Sequence, residues 1–364
     1  MDSWEIVVHG PTGFIEENGE KDGEIYEIRY EYLKRMVAKW LPPGRHGFLF
    51  DTSVTWKELN QSLQSCPECR ITQPILLSTV CDNRSATLKC QIHIPFMDNA
   101  VTPSFYSLDL ATDFLPFVTG GFVVFDEQSL QDCAKYMLSK FSKVRVKNGC
   151  GCAGQEQQVI TQGKKIDERI LRDISCCGVV LEKNIESNNK IYSFSSFMLP
   201  DKELISIGII TETENDMDEN VYKGTTCIIF DPDTPNLPGF NFTDPLFGSI
   251  ALTSEEIASV KNVGVKVAKI YRGHFRKDFL PRVNMDIMWD GEEGRYVFID
   301  ASLRVGGNTW CEFRGGQRIK DGKEYAVQSI RMLETKEEYE KYEGLEGHDV
   351  HLICSEPYVF GLDL

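Results

Sequence analysis

Hydrophobic positions along this chain change period several times, and the changes divide it. From Tyr26 to Leu41 apolar residues fall at helical spacing, with Tyr30, Leu33, Met36 and Val37 aligned and Pro42 and Pro43 closing the segment. Trp4 to Val8 and Gly47 to Phe50 are short apolar runs that predict strands. Residues 1–120 are therefore expected to form an α/β unit, with a boundary at Gly120 and Gly121. Phe122 to Phe125 then predicts a strand. Ser129 to Phe141 predicts a helix whose stripe is Leu130, Cys133, Ala134, Met137, Leu138 and Phe141. Ile166 to Ile174 predicts another helix, and Gly178 to Ile185 an apolar strand ending in Glu182 and Lys183.

Further on, Ile191 to Met198, Glu203 to Thr211 and Thr226 to Phe230 predict strands. The stretch DPDTPNLPGFNFTDP, after Phe230, is expected to be loop throughout, because proline removes a ladder donor. Thr253 with Glu256 spells a capping box for a helix running to about Tyr271, with Val260, Val263, Val267 and Ile270 as its buried stripe. Asn284 to Met288 and Tyr296 to Ser302 flank a turn at Gly294 and predict a hairpin. Glu324 to Leu333 predicts a strand, Thr335 to Tyr342 a capped helix and Asp349 to Cys354 a last strand.

Composition narrows the class. The chain has 364 residues, 41% hydrophobic and 26% charged, enough for two or three units with substantial cores. Lys and Arg total 39 against 55 Asp and Glu, a net charge of −16 that argues against general binding to nucleic acid or anionic membranes. No stretch approaches the ~20 apolar residues of a membrane span, and MDSWEIVVHG lacks the pattern of a leader, so a cytoplasmic protein is expected. Twelve scattered cysteines suggest reduced thiols rather than a disulfide scaffold. Cys66 and Cys69 form one CxxC pair, which Cys81 and Cys90 could extend to a zinc site, although a second CxxC is missing.

Two stretches carry candidate chemistry. In Val144 to Gln158, VRVKNGCGCAGQEQQ, a strand ends at Lys147, and Gly149, Gly151 and Gly154 allow close backbone approach to an anion. A lysine beside a glycine loop suits a polyphosphate; an ordinary β-turn is the plainer alternative. The GxGxxG spacing does not make a dinucleotide fingerprint, because QEQQVIT looks extended rather than helical. Walker and protein-kinase signatures are missing as well. In the region from Val283 to Phe313, the hairpin of Asn284 to Met288 and Tyr296 to Ser302 can bring Asp286 and Asp300 side by side on otherwise apolar strands. Such a pair fits magnesium carrying phosphates, or local bonds to N–H groups or to Arg304.

Together these stretches resemble the ATP-grasp superfamily. The order matches: a lysine strand with a glycine hairpin, the VVLEK strand, an aspartate strand, then Asp300, Ala301, Ser302, Leu303 and Arg304 followed by Gly306, Gly307 and Asn308. VRVKNGCGCAGQEQ, VYKGTT and DASLRVGGNT look like a branch with VRxK, a glycine loop and SxRxGG. The resemblance implies an α+β / α/β architecture, two α+β lobes gripping a nucleotide behind an N-terminal α/β domain. The divisions are 1–120, then 121–185 as the small lobe with its lid loop, then 186–364 as the C-terminal lobe.

The same resemblance implies roles. Lys147 binds ATP phosphates under a lid of Gly149, Gly151 and Gly154, while Glu182, Lys183 and Ile185 contact adenine or ribose, partly through backbone. Asp286, Asp300 and Ser302 hold Mg2+, and Arg304 steadies the transferred phosphoryl group. Aspartate and serine at 300 and 302 replace the family's usual glutamate and asparagine. The implied activity is a carboxylate–amine ligase working through an acyl phosphate, with ATP and small-molecule acid and amine substrates such as amino acids or peptides. Two other functions compete. One is an inositol-phosphate type kinase using the basic run Lys261, Lys266, Lys269, Arg272, His274, Arg276 and Lys277; the other is a nucleotide-binding scaffold without chemistry.

Overall fold

The computed structural model describes residues 88–150, 156–186, 190–199, 202–214, 220–275, 280–303, 307–343, 345, 348–355 and 358–364, preceded by Lys57 and five short strand segments. Of those segments, Val7–Val8, Gly47–Leu49 and Ile75–Leu76 pair in parallel, as do Val54–Thr55 and Val80–Cys81. The helix expected at Tyr26 to Leu41, and Cys66 and Cys69, lie outside the described residues.

The small lobe is an antiparallel sheet, β1 (Gly121–Val124), β2 (Val144–Asn148), β3 (Gln157–Ile160) and β4 (Val179–Lys183), in spatial order β1-β4-β2-β3. Its helix, α2 (Glu127–Lys140), starts where the Asp126 carboxylate accepts the Ser129 N–H. The helical stripe Leu130, Cys133, Ala134 and Met137 then packs on Val144, Val146, Val179 and Leu181. Alternation along β2 leaves Arg145 and Lys147 on the opposite face. That face looks across at the second lobe.

The large lobe is an eight-stranded antiparallel sheet. Its strands are β5 (Ile191–Met198), β6 (Glu203–Glu214), β7 (Asn220–Phe230), β10 (Arg282–Asp290), β11 (Arg295–Ser302), β12 (Tyr325–Leu333), β13 (Asp349–Ser355) and β14 (Tyr358–Asp363). In space they run β11-β10-β5-β6-β7-β12-β14-β13. One face is covered by α3 (Ser254–His274), which opens with the Thr253/Glu256 capping box and buries Val260, Val267 and Tyr271 against Phe194, Met285 and Ile287. Gly264 lets this helix down onto the sheet, since a Cβ there would lie 2.3 Å from the Phe194 ring. Part of the other face is covered by α4 (Thr309–Lys320), with Gly315 against Ile229. Each fully buried Leu, Ile or Phe in these layers contributes roughly 1.5–3 kcal/mol.

The segment ahead of the small lobe is shared. α1 (Leu108–Phe114) sends Leu110 and Phe114 into the large-lobe core, where Phe114 meets Tyr271 and Phe298. Val118 bridges to Phe298. The small sheet is thus joined to the large one before the chain enters it.

Four sequence expectations differ from the structure. Ile166 to Ile174 is not a helix: Asp167 accepts the Arg169 N–H to form a 3-10 turn at Glu168–Leu171, and Asp173 at φ 53 precedes one helical turn, Ile174–Cys177. The proline-rich stretch holds β8 (Phe240–Asp244), paired with β9 (Gly248–Leu252), because Phe240, Phe242 and Asp244 alternate once Pro238 is passed. α4 was not expected, and a further strand, β14, follows Asp349–Ser355.

β8 also supplies Asp244 to the most buried ion pair among the described residues. Arg331 is 0% exposed; its Nε donates to Asp244 Oδ2 at 2.7 Å and its Nη2 to Thr226 Oγ1 at 2.7 Å. Tyr342 OH donates to Asp244 Oδ1 at 2.6 Å. Removing one partner strands the other's charge in the core. Arg331→Ala is expected to lower unfolding free energy by about 3–5 kcal/mol in urea titration; an unchanged midpoint would contradict this pair.

Candidate active site

A short register irregularity lies where the two sheets face each other. β10 and β11 pair Asp286 with Asp300, then Ile287 with Phe298, so Ile299 is left over as a bulge. Its carbonyl accepts a hydrogen bond from Lys147 Nζ at 2.9 Å, across the two lobes. Lys147 also stands 2.7 Å from Glu182 Oε1. One ammonium therefore ties β2, β4 and β11 together.

Glu182 is 3% exposed, and its second oxygen lies 3.2 Å from His93 Nε2. Burial raises its pKa, but the Lys147 charge and the His93 bond outweigh that and hold it at about 2. Glu182 is thus an anion that holds the Lys147 ammonium in place.

The two aspartates are not equivalent. Asp300 pairs with Lys89 Nζ at 2.6 Å and accepts the Ala301 N–H at 2.8 Å. Asp286 makes no hydrogen bond or ion pair among the described residues. Burial first, and the neighbouring Asp300 charge second, push its carboxyl up to about 7. Glu212 on β6 adds to that negative field; burial raises its own pKa while Arg145 opposes the rise. An acid facing another acid without a cation of its own suits a hard divalent ion.

The residues at the end of β4, where the chain leaves the small lobe for the large one, divide their work. Lys183 turns its ammonium to Asp290 Oδ2 and Glu292 Oε2, both at 2.8 Å, and these carboxylates overcome burial to raise its pKa. Its backbone N–H donates to Gly120 O. Ile185 lies in an apolar cluster with Met288 and Val297, lined by Ile191 and Ile299. A flat base would find such a surface beside the end of β4.

Ser302 sits opposite Asn284 in register. The Asn284 amide donates to Ser193 Oγ and Ser195 Oγ at 3.0 and 2.9 Å, and Arg282 pairs with Glu312 at 2.7 Å and donates to Asn308 Oδ1 at 2.5 Å. This buried network fixes the start of α4 on the Asp286 face. Gly149 packs at the end of β2, where a Cβ would fall 1.9 Å from Cys177 O. Gly151, Gly154 and Arg304 lie outside the described residues.

Sequence reading missed Lys89, His93 and Glu212. Lys89 and His93 stand in LKCQIHIPF, an otherwise largely apolar run, which was the available signal. The basic run on α3 is placed away from this site: α3 covers the face carrying Phe194 and Met285, opposite Ser193, Asn284 and Asp286. Lys261 donates to Pro232 O, Arg272 pairs with Glu203 and His274 with Asp113; Arg276 and Lys277 are outside the described residues. The expectation of thiols fails at Cys150 and Cys177, which form a disulfide, while Cys90, Cys133, Cys176, Cys227 and Cys311 are free. Cys90 is buried among apolar residues, with its thiol pushed up to about 12 by burial.

Residues 86–350 match the family described as protein of unknown function (DUF3182). No curated protein matches the chain. Among solved structures, carboxyaminoimidazole ribonucleotide synthase from Aspergillus clavatus, complexed with ATP, is 9% identical with a TM-score of 0.50, over 87% of this chain and 77% of that one. D-alanyl-alanine synthetase A from Vibrio cholerae is 12% identical with a TM-score of 0.47, over 84% and 91%. The ADP complex of purK, an N5-carboxyaminoimidazole ribonucleotide synthetase, is 12% identical with a TM-score of 0.43 over 70% of this chain, which spans 64% of that one. At such identities likeness speaks to fold, and the first of these bears it. Among the described residues no helix is long and apolar enough to cross a membrane. The chain has the ATP-grasp fold, and its match over residues 86–350 makes it a member of the family described as protein of unknown function (DUF3182).

Proposed function

We propose that the chain is an ATP- and Mg2+-dependent ligase that joins a small-molecule carboxylic acid to an amine, an amino acid or peptide among the candidates, in the cytoplasm. The observation that carries this reading is the pair Asp286 and Asp300 on the floor of a cleft that Lys147 crosses from the opposite lobe. The ATP complex of the Aspergillus clavatus neighbour supports the choice of nucleotide.

In this reading Asp286, Asp300 and Ser302 hold Mg2+, which when bound offsets the negative charge of the phosphates. Lys147 and Lys89 reach the same space, and Gly151 and Gly154 offer backbone N–H groups to phosphate oxygens, the Gly149 N–H being given to Gly178 O. Ile185 and its apolar neighbours take the adenine, while Glu182 and Lys183 frame it from the end of β4. The substrate carboxylate attacks the γ-phosphorus and ADP leaves; the amine then attacks the acyl carbon, phosphate leaves and the amine proton is lost. Arg304 and Lys147 offset charge at the transferred group, so positioning and electrostatics supply the catalysis. The competing phosphotransfer to a hydroxyl loses support, because the basic face of α3 lies across the sheet from Asp286.

Three outcomes are expected. ATP with Mg2+ raises the melting temperature, whereas Lys147→Ala weakens nucleotide binding at least ~10-fold by calorimetry; unchanged affinity would remove Lys147 from the site. Mg2+-dependent binding strengthens as pH rises through about 7, because the folded-state Asp286 must lose its proton. The sign for stability is the reverse: that carboxyl is raised above its unfolded value, so the nucleotide-free protein loses stability from about pH 4 through 7. Asp286→Asn should lift melting temperature more at pH 8 than at pH 5 and abolish the Mg2+ response; a flat Mg2+ profile in the parent would contradict the assignment. Finally, productive acid and amine pairs release ADP and give a product lighter than the two substrates by one water. A product heavier by one phosphate would instead mark a kinase.

A further inference from the structure

We infer that the Cys150–Cys177 disulfide is a redox site for a dithiol, and that its state sets how firmly Lys89 is held over Asp300. The bond joins the residue two past Asn148 of β2 to the turn before β4, across a sequence separation of 27. β2 and β4 are already neighbours in the sheet, with Asn148 paired to Val179, so the architecture does not depend on the cross-link. Cys150 is exposed and Cys177 half-buried, within reach of an attacking thiolate. Cys227 and Cys311, by contrast, interact with each other in the core, fully buried, and are thiols. Access, rather than proximity of sulfurs alone, separates the bonded pair from the unbonded one.

A short chain of contacts leads from the bond to the cleft. Gly149 lies between Asn148 and Cys150; its N–H donates to Gly178 O at 2.9 Å, and its carbonyl accepts the Lys89 N–H at 3.2 Å. The Cys150 N–H donates to Asn148 Oδ1 at 2.8 Å, and the Asn148 amide donates to Ile170 O and Arg172 O. The covalent bond therefore clamps Gly149 onto the Cys177–Gly178 turn, and Gly149 seats the backbone of Lys89. The Lys89 ammonium is the partner of Asp300 at 2.6 Å. Opening the disulfide frees the residue after Gly149 and loosens that seat.

The exchange balances without a further reagent. One thiolate of the dithiol attacks a sulfur of the bond, forming a mixed disulfide and releasing the other cysteine as a thiolate that takes up a proton. The second thiol of the dithiol then displaces the first cysteine. Two electrons and two protons pass to Cys150 and Cys177, and the dithiol becomes a disulfide.

The effect on nucleotide rests on the proposed function above; the exchange itself does not. The full chain, prepared without reductant, is alkylated with iodoacetamide before and after native incubation with dithiothreitol, and its peptides are weighed. MgATP affinity is measured by calorimetry on both states and on Cys150→Ser/Cys177→Ser. Cys150 and Cys177 are expected to alkylate only after dithiothreitol. The reduced protein and the double variant should bind MgATP at least ~5-fold more weakly than the oxidised protein, with the variant indifferent to dithiothreitol. Alkylation of both cysteines without reductant overturns the site, and equal affinity in the two states overturns the coupling. If neither state binds MgATP, the nucleotide reading and the coupling fall together, while the peptide masses still decide the disulfide.

Discussion

The cleft depends on one ammonium serving three strands. Lys147 Nζ is shared between Glu182, on its own sheet, and the Ile299 carbonyl, on the opposite sheet. A charge so buried is tolerable only because Glu182 remains ionised, and Glu182 remains ionised because Lys147 and His93 face it. The interaction is therefore mutual: neither charge is stable there alone, and together they fix the distance between the lobes at the centre of the site. The second cross-lobe tie, Lys183 to Asp290 and Glu292, does the same at the end of β4.

Against that satisfied centre, the Asp286 and Asp300 pair is deliberately incomplete in its charges. Lys89 answers one carboxylate, and burial and the neighbouring charge push the carboxyl of the other up to about 7. On the same face Asn284, Arg282 and Glu312 are joined in one network, whereas Asp286 makes no hydrogen bond or ion pair among the described residues, which is why the proposed reading puts the cation there. The bulge at Ile299 links the two features, since the same irregularity that exposes the carbonyl to Lys147 follows directly on the Asp286–Asp300 pairing.

What the sequence made legible was local. The hairpin of Asp286 and Asp300 could be read because two apolar strands and a glycine turn set the register within 20 residues, and Gly294 does adopt positive φ. The Lys147 strand could be read because period two places Arg145 and Lys147 on one face. Lys89, His93 and Glu212 could not be placed, because the segments that carry them reach the cleft only through the packing of sheets far apart in sequence. The Cys150–Cys177 bond was hidden for the same reason: it depends on β2 lying beside β4 in space. β8 was hidden by the prolines before it, and α4 by the small and polar residues that its contacts with Ile229 and Arg282 demand.

The most direct test of a metal-bearing nucleotide site at these carboxylates is electron paramagnetic resonance of Mn2+ added to the protein with and without ATP. A tightly bound Mn2+ signal is expected that requires ATP and is lost in Asp300→Ala while that variant stays folded. Bound Mn2+ that is indifferent to ATP and to Asp300, or none bound with ATP present, would contradict it.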